Sequence, residues 1–176
     1  MSTTDADAHA RSLETDVSSN RSGEWPAYWL ALLRVLTGYW FLHAGLTKLM
    51  EWPFSAEGYL LYASEGTVLA PVEVWFAQNA LWLPNVMVPV GETLIGLGLV
   101  VGFLTRLAAV NGALLMAFFY VTNHGWSHGM VNGDLMGLLL FATVAVLGAG
   151  RAFGLDAYVE RSRLVRRHEW LRYLLG

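Results

Sequence analysis

The chain has 176 residues, 55% of them hydrophobic and 14% charged, with a mean hydropathy of +0.43, which is typical of a single-domain membrane protein. Cysteine is absent, and this excludes disulfides, thiolate metal sites, iron–sulfur clusters and thiol redox relays. With a net charge of −3, the chain is not expected to have a nucleic-acid partner.

The first 27 residues form a polar segment that is rich in serine and threonine and contains five acidic residues. This composition predicts a disordered tail over residues 1–27 rather than a cleavable signal sequence. No secretory signal is expected before the first apolar segment.

Four apolar segments follow, and each approaches the roughly 20 residues that cross a bilayer. They run over residues 28–50, 86–104, 107–122 and 131–147. The third is short, so we expect it to extend from Arg106 to Asn123 with its polar ends at the interfaces. The sequence therefore predicts an all-α membrane protein, with a four-transmembrane-helix bundle over residues 28–150.

The arginines predict the orientation. Ten of the eleven basic residues are arginine, and they lie in the tail, at Arg34, at Arg106 and in residues 151–176. The connections 51–85 and 123–130 contain neither lysine nor arginine. Because basic residues favour the cytoplasmic side, we expect a multi-pass plasma-membrane protein with both termini in the cytoplasm.

Two segments outside the spans have an amphipathic pattern. The outer connection becomes apolar from Pro71 onward, which predicts a short interfacial helix. Residues 151–176 space apolar side chains at helical period among arginines, which predicts a basic amphipathic helix on the anionic cytoplasmic leaflet of the bilayer. Docking of this helix on a partner subunit is the alternative.

Charged side chains inside the spans mark where function is to be sought, because a charge in hydrocarbon costs about 2.5 to 3.5 kcal/mol. The first span runs outward and ends near Lys48, and the second runs inward past Glu92, so these two can pair. Asp134 opens the fourth span on the same side. The run 123–128 adds three polar side chains there, those of Asn123, His124 and His128.

Each of these residues has a structural alternative. Lys48 and Glu92 could serve only to fix helix register, and Arg34 and Arg106 could extend to the inner head groups. His43 lies opposite Arg34 on the helix and could be hydrogen-bonded or face a partner. His124 and His128 have the i, i+4 spacing of metal ligands, but Gly125 and Gly129 interrupt a helix there, so no metal is expected unless Asp134 supplies a further ligand. A bis-histidine haem using His43 would need an outer histidine on a facing helix at a suitable spacing.

The order of residues across the spans resembles the DoxX/DoxD family. The first span carries Arg34, Gly38, Phe41, Gly45 and Lys48, and the second carries Glu92, Gly96, Gly98 and Gly102 before Thr105 and Arg106. The endings VNGD at 131–134 and GAGRAFGLD at 148–156 are closest to the DoxD type. The resemblance covers residues 28–157.

The resemblance implies a small four-helix membrane subunit of a quinone-linked oxidoreductase, with thiosulfate as the expected reductant. The quinone is then the only cofactor, as electron acceptor. Acid–base and donor roles fall to Lys48, Glu92, Asp134, His124 and His128, and contacts to the quinone fall to Arg34, His43 and Asn123. The four glutamates and absent cations of the outer connection argue against a dianion such as thiosulfate.

A second function class remains open, that of a non-catalytic membrane anchor or assembly partner of a redox complex. It is favoured by the basic final segment and by the lack of flavin, haem or metal motifs in the sequence. Besides the lipid bilayer, the expected partners are a second redox subunit or further copies of this chain. Transport is a weaker reading, because four short spans show no inverted repeat.

Overall fold

The computed structural model describes residues 3–51, 53–63, 65–122 and 129–176, with the backbone alone for residues 3–23 and Leu164. These residues form helices and connections without a strand. The α-helices are α1 (Thr3–Met50), α2 (Ala70–Asn79), α3 (Trp82–Val101), α4 (Thr105–Thr122), α5 (Gly133–Leu147), α6 (Asp156–Val159) and α7 (Arg163–Arg167). A π-helical turn spans Tyr59–Ala63, and 3₁₀ turns span Ala149–Arg151 and Glu169–Tyr173.

Helix α1 begins well before the first apolar segment. The sequence predicts a disordered tail over residues 1–27, whereas the structure continues α1 without interruption from Thr3 to Met50. Alanine, leucine, glutamate and arginine in this stretch favour a helix. The only proline inside α1 is Pro26, which lies between the polar part and the apolar part.

Glycines fix where two of the long helices end. Gly102 after α3 and Gly148 after α5 have φ of 73° and 64°, a left-handed conformation that side-chain-bearing residues seldom adopt. α3 therefore ends at Val101, three residues before the predicted end of the second span. At the start of α5, the Asn132 side chain accepts a hydrogen bond of 3.0 Å from the Leu135 N–H, an N-cap arrangement.

Close packing joins α1 to α3. A Cβ at Gly38 would lie 2.8 Å from the Val100 backbone nitrogen, and one at Gly96 would collide with the Leu42 backbone. Only glycine lets the two backbones approach this closely. The glycine spacing predicts this pairing of the first two spans, and it is the most extensive helix contact among the described residues.

The second helix pair, α4 and α5, also packs through glycine. A Cβ at Gly112 would collide with the Phe141 ring, and one at Gly137 would collide with the Met116 sulfur. Phe141 is fully buried and meets Phe41 of α1 edge-on, with ring centroids 4.5 Å apart. This aromatic contact joins the two helix pairs into one core.

The outer faces of the helices are apolar. Within the part of the chain that the structure describes, two helices, α3 and α4, are long and apolar enough to cross a membrane, and only 28% of each apolar window is buried. The core helix of a soluble protein would instead be mostly buried. Leu94 of α3 and Leu114 of α4, for example, are 62% and 64% exposed. Such a surface is stable only where hydrocarbon or a protein partner covers it.

The final segment differs from the expected single helix over residues 151–176. It consists of the short helices α6 and α7 and the 3₁₀ turn Glu169–Tyr173, and it folds back onto the bundle. Leu174 accepts a hydrogen bond of 3.2 Å from the N–H of Leu107 in α4, and Val165 and Leu175 are buried. The breaks let the chain turn, so that both apolar side chains are removed from solvent while all six arginines of the segment remain exposed.

The bundle has two chemically different ends. At one end, which we call the cavity end, the connection between α1 and α3 contains the π-helical turn and α2. It is tied to α3 by a 2.8 Å hydrogen bond from the Ala56 N–H to the Asn85 side chain. At the other, which we call the arginine end, the turns after α3 and α5 meet the final segment around Arg34.

Candidate functional site

A cavity of about 760 Å³ lies at the cavity end, between the connection and helices α3, α4 and α5. Its walls are mainly aromatic and aliphatic, including Phe54, Leu69, Phe76, Val88 and Phe119. Its ionisable lining groups are Lys48, Tyr59, Glu73, Glu92 and Asp134. An apolar chamber with a few polar groups is the usual form of a site for a small organic ligand.

Lys48 and Glu92 form an ion pair in the lining of the cavity. The Lys48 Nζ lies 2.6 Å from the Glu92 Oε2, and it also approaches the Phe54 ring at 6.0 Å from the centroid. The Lys48 side chain is 28% exposed and that of Glu92 is 5% exposed. Both groups line the cavity, and the ammonium is the more exposed member of the pair.

Tyr59 brings a hydroxyl to the same cavity. Its oxygen lies 2.7 Å from the Thr122 hydroxyl at the end of α4, which fixes the phenol against the bundle. Burial raises the pKa of Tyr59 and is the largest effect. The hydrogen bond to Thr122 lowers this pKa in part, and the negative charges of Glu73 and Asp134 raise it. The phenol is therefore a neutral hydrogen-bonding group at physiological pH.

Glu73 and Tyr59 line the cavity but are not among the site residues predicted from the sequence. Glu73 is only 2% exposed, and it is the one acidic residue of the mainly apolar helix α2. A single carboxylate in a mainly apolar helix can indicate a buried functional group. Here Glu73 is one of four glutamates in the same connection, so it does not stand out in the sequence. Tyr59 lies in a π-helical turn, which has no distinctive sequence pattern.

The structure separates the predicted site residues into groups. Lys48, Glu92 and Asp134 line one cavity, as the direction of the helices predicts. Asn123, His124 and His128 lie outside the described residues. His43 is exposed on the outer face of α1, beside Tyr39, and does not line the cavity.

Arg34 lies at the arginine end, fourteen residues and about 21 Å along α1 from Lys48. It is 2% exposed, so it neither reaches head groups nor contacts a ligand in the cavity. Its guanidinium donates to the carbonyls of Ala149 at 2.8 Å and Ala152 at 3.0 Å. Arg34 therefore has a structural role instead of the expected contact with a quinone. Its acceptors are carbonyls of the irregular backbone after α5, and the sequence does not reveal where these carbonyls lie.

Asp156 completes the arginine end. It is fully buried and accepts hydrogen bonds from the backbone N–H groups of Leu104, Thr105 and Gly176, at 2.8, 2.9 and 2.9 Å. Leu104 has a φ of 50°, so this carboxylate holds a strained turn between α3 and α4. Arg106 adds a 3.1 Å hydrogen bond to the Ala145 carbonyl. The charged side chains described at the arginine end therefore stabilise the turns between the helices.

No cluster of three metal-binding side chains occurs among residues 24–51, 53–63, 65–122 and 129–176. The described chemistry of the cavity is that of proton exchange and hydrogen bonding, by one ammonium, one phenol and three carboxyl groups. These groups suit a ligand with an apolar body and polar oxygens.

The comparisons with known proteins give one match. A family profile described as DoxX matches residues 29–125, more than half of the chain, and includes Lys48, Tyr59, Glu73 and Glu92. No curated protein and no solved structure matches the chain significantly. The apolar, outward-facing helices agree with the membrane association of that family. The chain belongs to the DoxX family of membrane proteins.

Proposed function

We propose that this protein binds the ring of a quinone in the cavity and acts as the membrane subunit of a quinone-linked oxidoreductase of the DoxD-like type. The observation that carries the proposal is the Lys48–Glu92 ion pair in the lining of an apolar chamber. A quinone has an apolar tail and two carbonyl oxygens, so it needs both kinds of surface.

The size of the cavity supports this ligand class. A volume of about 760 Å³ lies within the roughly 300–1,000 Å³ of small-molecule sites, which is enough for a ring and the first part of a tail. The Lys48 ammonium can donate to a ring carbonyl, and the Tyr59 hydroxyl, which bonds to Thr122, adds a polar group to the same lining. The aromatic and aliphatic walls suit the remainder of the molecule.

The acid–base groups support a proton-coupled reaction. Reduction of a quinone to the quinol takes up two electrons and two protons, so the site needs groups that donate to the oxygens and regain protons from water. Lys48 occupies the donor position, and after it has donated, Glu92 can take up a proton from water and pass it to the neutral amine. Asp134 and Glu73 offer further carboxyl groups along the lining.

The charge of the cavity argues against thiosulfate as a ligand of the same chamber. Its described ionisable lining carries one ammonium against three carboxyl groups, and a dianion requires a cationic, donor-rich pocket. We therefore propose that electrons reach the quinone from a second redox subunit. Direct reduction by thiosulfate is the alternative that the assay below measures.

The proposal includes a membrane arrangement. The apolar part of α1 and helices α3, α4 and α5 cross the plasma membrane, with the cavity end outside and the arginine end in the cytoplasm. The six exposed arginines of residues 151–176 and Arg106 lie at one end of the bundle. Basic residues favour the cytoplasmic face.

A binding titration tests the proposal. The purified full chain in nanodiscs is titrated with a short-chain ubiquinone, and we expect saturable binding that Lys48→Met weakens about tenfold, the loss of one charge-assisted hydrogen bond. Arg151→Gln is the matched control, because it removes the exposed 3.0 Å pair with Glu160 at the other end and should leave affinity unchanged.

Absence of saturable binding by the unaltered protein would contradict the quinone site. An equal loss of affinity in both variants would show that Lys48→Met weakens binding by destabilising the protein and not by removing a contact with the quinone. Adding thiosulfate to the same sample and following quinone absorbance then separates the two electron routes, since turnover without a partner contradicts the need for a second subunit.

A non-catalytic anchor is the second candidate, favoured by the exposed arginines of the final segment together with the exposed rings of Trp170 and Tyr173. It predicts a protein partner that co-purifies after gentle solubilisation. Replacing Arg163, Arg166 and Arg167 by glutamine should release the partner without removing the buried Val165. Recovery of this chain alone would count against the anchor.

A further inference from the structure

One face of α1 turns away from α3 and is not covered by the rest of the bundle. A row of exposed residues runs along it, namely Trp25, Trp29, Leu32, Leu36, Tyr39, His43, Leu46 and Met50, which we call the α1 seam; Tyr28, Val35 and Trp40 are also exposed on α1 beside this row. The spacing of the seam residues alternates between four and three residues throughout. This heptad spacing keeps one face of a helix directed at a neighbouring helix along its length.

Two members of the α1 seam are polar. The rings of Tyr39 and His43 lie one turn apart, with centroids 6.0 Å from each other, and both side chains are exposed. Neither side chain has a hydrogen-bond partner among the described residues. Seven residues separate His43 from Met50 at the end of the span, which is about 10 Å along the helix.

An imidazole at this depth does not suit a lipid-facing surface. Ionisable side chains within membrane spans nearly always face protein or a water-filled space. Lysine and arginine escape by extending long stems to the interface, but histidine has no such stem. The rest of the α1 seam is aliphatic or aromatic, which allows a protein neighbour to pack closely against it.

We infer that a second copy of this chain packs on the α1 seam, so that the protein is a two-fold symmetric dimer. The inference rests on α1 crossing the bilayer, as proposed above. A second copy fits because the polar pair is self-complementary. The Tyr39 hydroxyl donates to the partner's His43, and the symmetric bond forms at the same time. One polar position in an apolar heptad seam also fixes the register.

Cysteine cross-linking tests the dimer, since the chain has no cysteine of its own. Leu36→Cys places a thiol on the α1 seam, and Leu114→Cys places one on the outer face of α4. These positions are 56% and 64% exposed and lie near the middle of their spans. Oxidation in native membranes should give a disulfide-linked dimer of Leu36→Cys and none of Leu114→Cys.

The polar pair is tested in the Leu36→Cys background. Adding Tyr39→Phe and His43→Leu should lower the cross-linked fraction at low expression about ninefold. One interhelical hydrogen bond changes such an equilibrium about threefold, and these substitutions remove two symmetric bonds. Because both positions are exposed in the single chain, the altered protein should still fold, which its melting temperature in detergent verifies.

Several outcomes would overturn the dimer. They are equal cross-linking of the two cysteine variants, a cross-linked product with the mass of another protein, and an unchanged yield without Tyr39 and His43. A water-soluble maleimide that labels Leu36→Cys would overturn the span itself. Protection of this cysteine without cross-linking would overturn the dimer and leave the span and the quinone site intact.

Discussion

At the scale of single residues, the two members of the cavity ion pair do not have equal surroundings. Glu92 is almost completely enclosed, whereas Lys48 keeps 28% of its side chain exposed. Removing the partner of a charged group costs less free energy when water can solvate that group. The two single substitutions at this pair should therefore differ in their effect on stability.

We expect Lys48→Met to destabilise the fold by about 1 to 3 kcal/mol, because it leaves the Glu92 carboxyl buried without its donor. Glu92→Gln should cost less, because the amide oxygen still accepts from Lys48. Unfolding in mixed micelles by increasing the fraction of SDS measures both. The double variant should show a coupling of about 1 to 2 kcal/mol, and additive losses of equal size would contradict the pair's role.

An exposed ion pair at the arginine end gives a pH prediction. The hydrogen bonds from Arg151 lower the pKa of Glu160 below its ordinary value of 4.5. A lowered pKa in the fold means that the pair stabilises the protein above pH 4.5 and that this contribution is lost as the pH falls through the lowered pKa. Both side chains are in contact with water, at 49% and 28% exposure, so the effect is about a few tenths of a kcal/mol.

Carboxyl NMR of the protein in micelles should therefore show Glu160 titrating at a higher pH after Arg151→Gln. Arg163→Gln is the control, because Arg163 is not among the arginines whose charges act on Glu160. A Glu160 titration that is the same in all three proteins would show that the pair does not persist in solution.

Residues of the spans could be placed from the sequence, and residues of the connections could not. Helix direction and a rise of 1.5 Å per residue bring Lys48, Glu92 and Asp134 to one end. The fold of the connection alone decides that Glu73 and Tyr59 line the same cavity. Arg34 lies at the predicted end of the bundle, but its role was not predicted, since its acceptors are carbonyls that regular helices do not expose.

At the scale of helices, the close approach of α1 and α3 depends on glycine. We expect Gly96→Ala to destabilise the protein by about 1 to 3 kcal/mol, because the added methyl group meets the Leu42 backbone, which cannot move aside. Gly91→Ala on the same helix is the control, since a Cβ there meets nothing within 4 Å. Melting temperatures in detergent measure the difference, and equal effects would contradict the packing.

Apolar periodicity located the long helices well, but it could not describe the final segment. The predicted ends of the second span missed Gly102, where a left-handed residue stops α3. In residues 151–176, helical spacing of apolar side chains suggested one helix. The chain breaks there instead, because Val165 and Leu175 are buried and a backbone bond reaches α4. Tertiary contacts of this kind leave no local pattern.

At the scale of the whole molecule, the proposed arrangement places the two ends of the bundle on opposite sides of the membrane. Glu57→Cys, in the exposed connection, should react with a membrane-impermeant maleimide in intact cells. Arg167→Cys, in the exposed final segment, should react only after the cells are opened. Labelling of both residues in intact cells, or the reverse pattern, would contradict the orientation derived from the arginines.

The arginine end also bears on how the protein is made. Arg34 and the turn after α3 lie inside the matched family segment 29–125. Their hydrogen-bond acceptors, which belong to Ala149, Ala152 and Asp156, lie outside that segment. Ala149 follows Arg34 by 115 residues, so the ribosome adds it roughly ten seconds later. Throughout that time, the first helix carries a guanidinium whose final acceptors have not been synthesised. In the proposed membrane arrangement, the newly inserted helices therefore need a temporary partner, either water or the insertion machinery, until the last part of the chain emerges.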